Sequence, residues 1–498
     1  MKLKKVLSSI LCLIMVTMLF TGCGKEAKTN QTGNQADNKS ENKSEGGVDL
    51  SEHVTLSLYL YGSAGVANDE ILAEINRKLT EDMNTSLEIK YIDWGDIGTK
   101  YPLIWASNED FDMAYASVNT AVPFYTLAKQ GSLYDITEII DKYTPTLKEK
   151  VPETSWAATS SDGKIYGVPT LGSGYNCTGF VYNKENCKKW GISEVTDLKS
   201  MIAYCDASVA HGIYPFNGDA NIYKDFYKML IDTTGKWVPA PGISTEEMHL
   251  VTRDYNNIKD IIHPAFTDEF VQFVTMMDEW EKKGYWPKDI LSASTGDKEM
   301  YKNGQSSSYI THMGDWTGNY TSVHGNLPDQ DIDAWYFGES NNNKVFKSSP
   351  AQDYNLWQYG IEGRQYEIVD GYLEKPAGYD EKVDAGGFAG WAFSNSEFKL
   401  PVRTEHPSRY EKLKEWSQIY LSDPYTGFSF DSSKVSTELS AISNVNSRLG
   451  IQLMLGKTDN VEAAIEEYRN QLKKAGIDKV IEEVNNQLSS FTPVIKNQ

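Results

Sequence analysis

The first part of the chain alternates between two hydrophobic periods. The segment VTLSLYLYG carries apolar side chains at every second position, which predicts a β-strand. In the next segment, NDEILAEINRKLTEDMN, Ile71, Ile75, Leu79 and Met83 recur every four residues, which predicts one face of an α-helix. LEIKYIDW is again strand-like, YPLIWAS is helical, and FDMAYAS is strand-like. This order predicts an α/β fold with a mostly parallel sheet covered by helices.

The residues that follow these predicted strands are candidate ligand contacts. In parallel sheets, ligands bind beyond the carboxyl ends of the strands, which lie along one edge. The candidates at this edge are Tyr61 and Ser63 after the first strand, Trp94 after the second, and Tyr115 and Asn119 after the third.

The end of the chain has a different, purely helical pattern. The segments SRYEKLKEWSQIYL, VEAAIEEYRNQLKKAGI and DKVIEEVNNQLSSF are amphipathic, and the second places Val461, Ile465, Tyr468 and Leu472 on one stripe. Three tryptophans lie in helical patterns and are predicted to pack in cores: Trp190, Trp280 and Trp416. A chain of 498 residues exceeds the size of a single core, so we expect two lobes.

The first residues have the pattern of a secreted lipoprotein. MKLKK is basic, and the following 15 residues, VLSSILCLIMVTMLF, form an apolar run typical of a signal peptide. LFTGCG then resembles the lipobox of bacterial lipoproteins, which implies that Cys23 is acylated and becomes the new N-terminus. Residues 24–49 are polar, without an aromatic side chain, and are predicted to be a flexible linker. The protein is therefore expected on the outer face of a membrane.

The net charge and the cysteine count exclude some partners and limit the number of disulfides. The formal charge of −21 becomes −24 once the three lysines of the predicted signal peptide are removed, and such an acidic surface repels nucleic acid. Without Cys12 and the acylated Cys23, three cysteines remain, so at most one disulfide can form: Cys177, Cys187 and Cys205. The acidic segment DQDIDA lacks the glycine of a calcium loop and is interpreted as solvated acids before a strand. No cofactor or metal is expected.

Several motifs, which follow one another in a fixed order along the chain, resemble those of one protein family. They are DGKIYGVPT, FVYNKENCKKWGIS, TDLKSMIAYCDAS, MYKNGQSSSYITHMGDW, LWQYGIEGRQY, and the C-terminus from DPYTGFSFD to AGIDKVIEEVNNQLSSF. Together they resemble family 1 extracellular solute-binding proteins of bacterial ABC importers, within a lipoprotein subgroup similar to LplA-type proteins that feeds oligosaccharide importers. The resemblance implies a class II periplasmic-binding-protein fold, whose two discontinuous lobes are joined by hinge strands and close over ligand.

The resemblance also sets expected boundaries along the chain. They are a signal peptide at 1–22, the lipidated cysteine and linker at 23–50, lobe 1 at 51–170, lobe 2 at 171–330, a return to lobe 1 and the hinge at 331–395, and a helical segment mainly of lobe 2 at 396–498. The implied partners are an oligosaccharide and the permease subunits of an ABC transporter, with the protein itself a monomer.

Further ligand contacts follow from the resemblance. The GDW at Asp315 and Trp316 lies where the family's second lobe places an aromatic side chain against the ligand. An indole can stack on the apolar face of a sugar ring, and a carboxylate can accept hydrogen bonds from the ring's hydroxyls. Tyr175, Trp357 and Trp391 are the remaining aromatic candidates, and the glycine-punctuated segments of Trp357 and Trp391 are equally consistent with support of the hinge.

The expected function is therefore capture of a carbohydrate, without catalysis, for delivery to an ABC permease. Two alternatives remain open. A peptide-binding lipoprotein would also line its cleft with aromatic side chains. A surface glycoside hydrolase would need two carboxyl groups about 5 to 9.5 Å apart, and with 69 acidic residues the sequence alone cannot identify such a pair.

Overall fold

The structure is a computed structural model of the 498-residue chain. It describes residues 49–107, 109–117, 120–170, 174–235, 237–240, 250–312, 331–337, 346–348, 355–388, 400–402, 405–406, 408–416, 418–419, 421, 423–428 and 430–493. The predicted signal peptide, Cys23 and most of the predicted linker lie outside these residues.

The described residues form strands and helices, with several successive helices at the end of the chain. The strands are β1 (Val54–Tyr61), β2 (Thr85–Ile92), β3 (Met113–Ala114), β4 (Ser160–Ser161), β5 (Lys164–Ile165), β6 (Gly174–Asn176), β7 (Thr178–Asn183), β8 (Val238–Pro239), β9 (Val251–Thr252), β10 (Ile261–Ile262), β11 (Ser308–His312), β12 (Ile332–Tyr336), β13 (Phe346–Ser348), β14 (Glu367–Val369) and β15 (Tyr372–Glu374). The helices are α1 (Asn68–Met83), α2 (Ile97–Ala106), α3 (Phe124–Lys129), α4 (Thr137–Tyr143), α5 (Pro145–Lys150), α6 (Glu153–Ala158), α7 (Lys184–Trp190), α8 (Leu198–Ala210), α9 (Ile222–Thr233), α10 (Asp268–Lys283), α11 (Asp297–Lys302), α12 (Asn355–Tyr359), α13 (Glu381–Asp384), α14 (Ser408–Trp416), α15 (Ser436–Val445), α16 (Ile451–Met454), α17 (Val461–Lys474) and α18 (Ile477–Ser489).

The chain divides into two compact units. Unit 1 contains residues 1–173 and 349–402, and unit 2 contains residues 174–348 and 403–498. Each unit is therefore built from two separate stretches of sequence. The chain leaves unit 2 after Ser348, rather than at the predicted residue 331, because β12 pairs with β7 of the unit 2 sheet.

Unit 1 contains the parallel sheet that the sequence pattern predicts. The strand order is β2-β1-β3, and β1 pairs in parallel with both neighbours. Helix α1 covers this sheet with the predicted face, since Ile71, Ile75, Leu79 and Met83 are all buried. The helix ends at Asn84, which adopts the left-handed conformation common at helix ends.

The second stretch of unit 1 is attached to the start of α1. The side chain of Asn68, 3% exposed, donates to the carbonyl oxygen of Gly387 at 3.0 Å and accepts from the Gly387 N–H at 2.9 Å. Arg364 pairs with the buried Asp384 and with Glu70 on α1. These bonds fix residues 355–388 against the first stretch of the unit.

Unit 2 is organised around an antiparallel sheet and a large helical core. This sheet has the order β11-β7-β12, and the unit also contains the smaller sheets β10-β9-β8 and β13-β6. Trp280 of α10 is 1% exposed within this core, and Trp416 of α14 is fully buried in a neighbouring cluster. Trp190 is half-buried and stacks on His211. All three tryptophans therefore pack as predicted.

The C-terminal helices complete the unit 2 core. On α17, Ile465, Tyr468 and Leu472 are buried, and Val461 packs partly buried against the same core. On α18, apolar side chains three or four residues apart are buried: Ile477, Val480, Val484 and Leu488. This confirms the amphipathic stripes predicted from the sequence.

The three remaining cysteines and the acidic segment have simple local structures. Cys177, Cys187 and Cys205 are buried, and none of the three forms a disulfide with another described cysteine. Asp331 and Asp333 lie 3.8 and 3.5 Å from the ammonium group of Lys184.

In the part of the chain that the structure describes, no group of three or more His, Cys, Asp or Glu side chains is arranged to hold a metal ion. Within the same ranges, no helix has the length and apolar character that a membrane span requires.

Candidate functional site

The candidate site is the edge of the unit 1 sheet where β1, β2 and β3 end. Because β1 pairs in parallel with both neighbours, with Tyr61 opposite Ile92, the residues after the three strands lie side by side. The Gly62 N–H donates to the carbonyl oxygen of Ile92 at 2.9 Å, and the Tyr115 N–H donates to that of Tyr59 at 3.0 Å. The sheet register therefore brings three predicted ligand loops together, and Ser63, Trp94 and Tyr115 lie along one edge.

Trp94 is the most exposed aromatic side chain at this edge. It lies in a 3₁₀ turn, Trp94–Asp96, directly after β2, and the residue is 62% exposed. Large apolar groups are usually buried because exposing them to water is unfavourable. An indole in this position is available to a ligand that carries an apolar face.

A cluster of tyrosines supports the indole from below. Tyr61, which is 6% exposed, contacts Trp94 edge-to-face with ring centroids 6.1 Å apart. Tyr61 in turn contacts Tyr101 at 5.2 Å and Tyr115 at 5.5 Å. The Tyr101 hydroxyl donates to the carbonyl oxygen of Tyr115 at 2.8 Å, which joins α2 to the third loop. Tyr61 therefore lies beneath the edge, while Trp94 projects from it.

Gly62 makes the turn that follows β1. Its φ angle is +109°, a conformation that residues with a side chain rarely adopt. A Cβ atom added here would lie 3.5 Å from the indole nitrogen of Trp94, which is an ordinary contact distance. The glycine is therefore required by the backbone of the turn and not by the position of the indole.

A polar pair lies next to the exposed indole. The Ser63 hydroxyl donates to a carboxylate oxygen of Asp93 at 2.5 Å, and both residues are exposed. On the other side of Trp94, Asp96 pairs with Lys100 at 2.6 Å. This hydrogen bond and the negative charge of Asp96 raise the pKa of Lys100. In the described ranges, no lysine or arginine forms an ion pair with Asp93.

The tyrosines of the cluster stay neutral near pH 7. Burial raises the pKa of Tyr101 to about 12 and also raises the pKa of Tyr115. Burial, followed by the neighbouring phenols, raises the pKa of Tyr61 well above its ordinary value. The site thus combines neutral aromatic rings with the Ser63–Asp93 pair.

The other predicted contacts are not all at this edge. Trp357 is 4% exposed in the unit 1 core, and its indole N–H donates to the carbonyl oxygen of Phe388 at 2.9 Å. The backbone of Tyr175 lies in β6, which pairs with β13, and its side chain is outside the described part of the chain. The remaining predicted contacts lie outside the described residues: Asn119, Asp315, Trp316 and Trp391.

Asp93 is a residue that the sequence analysis did not select. The signal was nevertheless present, because Asp93 and Trp94 form the same Asp-Trp pair that singled out Asp315 and Trp316.

Comparison with known proteins gives consistent likenesses. A family model described as a domain of unknown function, DUF3502, matches residues 424–493. Over 475 residues the chain is 23% identical to a carbohydrate ABC transporter substrate-binding protein of Streptococcus pneumoniae, covering 89% of this chain and 92% of that protein. The fold is similar to the crystal structure of the N-glycan transport solute binding protein NgtS from Streptococcus pneumoniae, with a TM-score of 0.69 and 21% identity over 88% of this chain and 98% of that chain. The same protein in complex with Man5GlcNAc gives a TM-score of 0.57 and 21% identity over 88% of this chain and 98% of that chain.

These likenesses confirm the fold that the sequence predicts. The chain has the two-domain α/β fold of solute-binding proteins, with a helical C-terminal segment. They also confirm the resemblance to solute-binding proteins of ABC importers, since the sequence relative and the structural neighbour are both substrate-binding proteins for transport.

Proposed function

We propose that this protein is the substrate-binding component of a bacterial ABC importer and that it captures an oligosaccharide outside the cytoplasmic membrane. The observation that carries the proposal is the similarity to a carbohydrate ABC transporter substrate-binding protein over 89% of the chain. The structural neighbour NgtS, with Man5GlcNAc bound, supports an oligosaccharide as the ligand class. Units 1 and 2 are then the two lobes of the binding protein.

The exposed edge of unit 1 supplies the chemistry that a sugar requires. The face of the Trp94 indole stacks on the C–H groups of a sugar ring, and the Ser63–Asp93 pair accepts hydrogen bonds from ring hydroxyls. Tyr61 contacts the indole and packs in turn against Tyr115, which is half-buried and is proposed as a further ligand contact.

The remaining predicted contacts divide by their burial. Trp357 is proposed as a packing residue, because its ring is buried and its N–H is bonded to Phe388. Trp316 with Asp315 is proposed to supply the second aromatic contact, on the resemblance of the GDW motif. Asn119 is proposed as a contact because it follows the third predicted strand at the sheet edge, and Tyr175 and Trp391 are proposed as aromatic contacts.

A lipid on Cys23 is proposed to anchor the protein. The LFTGCG segment supports this proposal, and the polar residues that follow separate the anchor from the folded units. Replacing Cys23→Ala is expected to move the protein from the membrane fraction to the soluble fraction, because each buried methylene of the lipid contributes about 0.8 kcal/mol to anchoring. Glycan affinity should remain unchanged. Detergent-free fractionation checks the prediction, and a variant that stays with the membrane contradicts it.

A thermal-shift screen of glycans and peptides tests the proposed function. A ligand present at 100 times its dissociation constant stabilises the folded protein by about 2.7 kcal/mol. We expect stabilisation by oligosaccharides and not by peptides of similar size. Stabilisation by peptides alone would instead support the peptide-binding alternative.

A further inference from the structure

The Ser63–Asp93 pair has a restricted hydrogen-bonding capacity. The serine hydroxyl has one proton, which is donated to Asp93. The serine oxygen and the second carboxylate oxygen are then left as acceptors. In this state the pair offers acceptors, and a ligand group that faces it must supply donors.

From this geometry we propose that the Ser63–Asp93 pair accepts hydrogen bonds from neighbouring hydroxyl groups of the sugar ring that stacks on Trp94, and that it thereby selects an uncharged sugar at this position. The inference rests on the proposed function and deepens it, because it specifies the chemistry of the unit that is bound. A neutral sugar presents hydroxyl donors around its ring. A uronic acid replaces one hydroxymethyl group by a carboxylate, which has acceptors and a negative charge.

The charges around Trp94 disfavour an acidic ligand. The turn Asp93–Trp94–Gly95–Asp96 carries two carboxylates, and Lys100 of α2 is bound to Asp96 at 2.6 Å. Lys100 also attracts Asp93 electrostatically, but among the residues that the structure describes no lysine or arginine lies within ion-pair distance of the Asp93 carboxylate. A ligand carboxylate next to Asp93 would place two negative charges together, which is unfavourable.

The sheet places the two residues of the pair next to each other. Ser63 follows β1 and Asp93 follows β2, and the two strands are in register up to Tyr61 and Ile92. Trp94 is the next residue after Asp93, so stacking on the indole determines which ring hydroxyls meet the pair. Asp93 is thus a specificity-determining residue, whereas Tyr61 is a positioning residue.

Paired oligosaccharides test this selectivity. Each pair consists of a neutral glycan of glucose, galactose or mannose and the same glycan with one C6 hydroxymethyl group oxidised to a carboxylate, at each ring in turn. Isothermal titration of the wild-type protein is expected to give at least about tenfold weaker binding when the oxidised ring is the one at Trp94. Oxidation at rings away from Trp94 should have a smaller effect.

Two matched variants assign the selectivity to Asp93. Asp93→Asn keeps the shape of the side chain but replaces an acceptor by an amide donor. We expect the neutral glycan to bind about tenfold more weakly to this variant, and the difference in affinity between the neutral and the acidic glycan to become smaller. Asp96→Asn removes the same charge from the same turn, but its carboxylate is bound to Lys100. Because this change also frees the charge of Lys100, we expect the neutral glycan to bind with nearly unchanged affinity, and the difference in affinity between the neutral and the acidic glycan to change less than in Asp93→Asn. Thermal melts of both variants should stay close to that of the wild-type protein, since Asp93 is exposed and Asp96 lies on a surface turn.

The possible failures can be distinguished. If neutral glycans bind and every oxidised partner binds equally well, the selectivity is wrong while the proposed function stands. The proposed role of Asp93 in selectivity is also wrong if Asp96→Asn changes the affinity difference between neutral and acidic glycans as much as Asp93→Asn does. If no glycan of either kind binds, the proposed function is wrong, and the inference that rests on it fails as well.

Discussion

Replacing Trp280→Ala is expected to lower the free energy of unfolding of unit 2 by about 3 to 5 kcal/mol, the cost of deleting a large aromatic side chain from a core. Trp280 is 1% exposed and packs against Phe216, Phe226 and Tyr285, with ring centroids 6.3, 6.4 and 5.3 Å away. A cavity among three aromatic rings collapses poorly, so most of the lost contact energy is not recovered.

Chemical denaturation followed by far-UV circular dichroism measures this loss. The protein that remains folded should bind glycan with wild-type affinity, because Trp280 lies in the core of unit 2 and not at the proposed sugar-binding edge of unit 1. A loss below about 1 kcal/mol would contradict the packing described for this core.

Replacing Trp94→Ala is expected to have the opposite consequences. Glycan binding should weaken by about 2 to 3 kcal/mol, or roughly 30- to 150-fold, as for an aromatic anchor of a binding site. The free energy of unfolding should change by about 1 kcal/mol or less, because the residue is 62% exposed and its removal leaves no buried cavity.

Titration calorimetry and denaturation of both tryptophan variants separate binding from stability. Trp94→Phe serves as the conservative control, since a smaller ring can still stack and should recover part of the affinity. Full affinity in Trp94→Ala, together with a large loss of stability, would mean that the indole is a packing residue after all.

The sheet and its ligand edge could be predicted from the sequence because they depend on local periodicity. The recurrence of Ile71, Ile75, Leu79 and Met83 every four residues identified the buried face of α1. The strand-helix-strand order required parallel pairing, and parallel pairing placed Ser63 and Trp94 at one edge.

The role of Tyr61 could not be predicted in the same way. Strict alternation along β1 gives one covered and one open face, but the last four residues, Leu58 to Tyr61, are all buried. Helix α1 covers one face, and an aromatic cluster that includes Tyr101 covers the other. Burial of the second face depends on contacts between residues 40 positions apart in sequence, which the local hydrophobic period does not predict.

The point at which the chain passes from unit 2 back to unit 1 could not be predicted from local patterns either. The sequence identified β12 as a strand but assigned it to the return to lobe 1. Its partner is β7, in which Phe180 lies opposite Trp335 about 150 residues later in the chain. Strand pairing over such a separation is decided by tertiary packing, and the residue pattern of either strand alone does not specify it.

Native mass spectrometry after prolonged incubation with a neutral oligosaccharide tests the central claim most directly. The protein should gain the mass of one intact glycan, and the glycan released from it should be unchanged. Shorter products with new reducing ends would indicate a glycoside hydrolase, and absence of any glycan-bound species across the neutral panel would contradict carbohydrate capture.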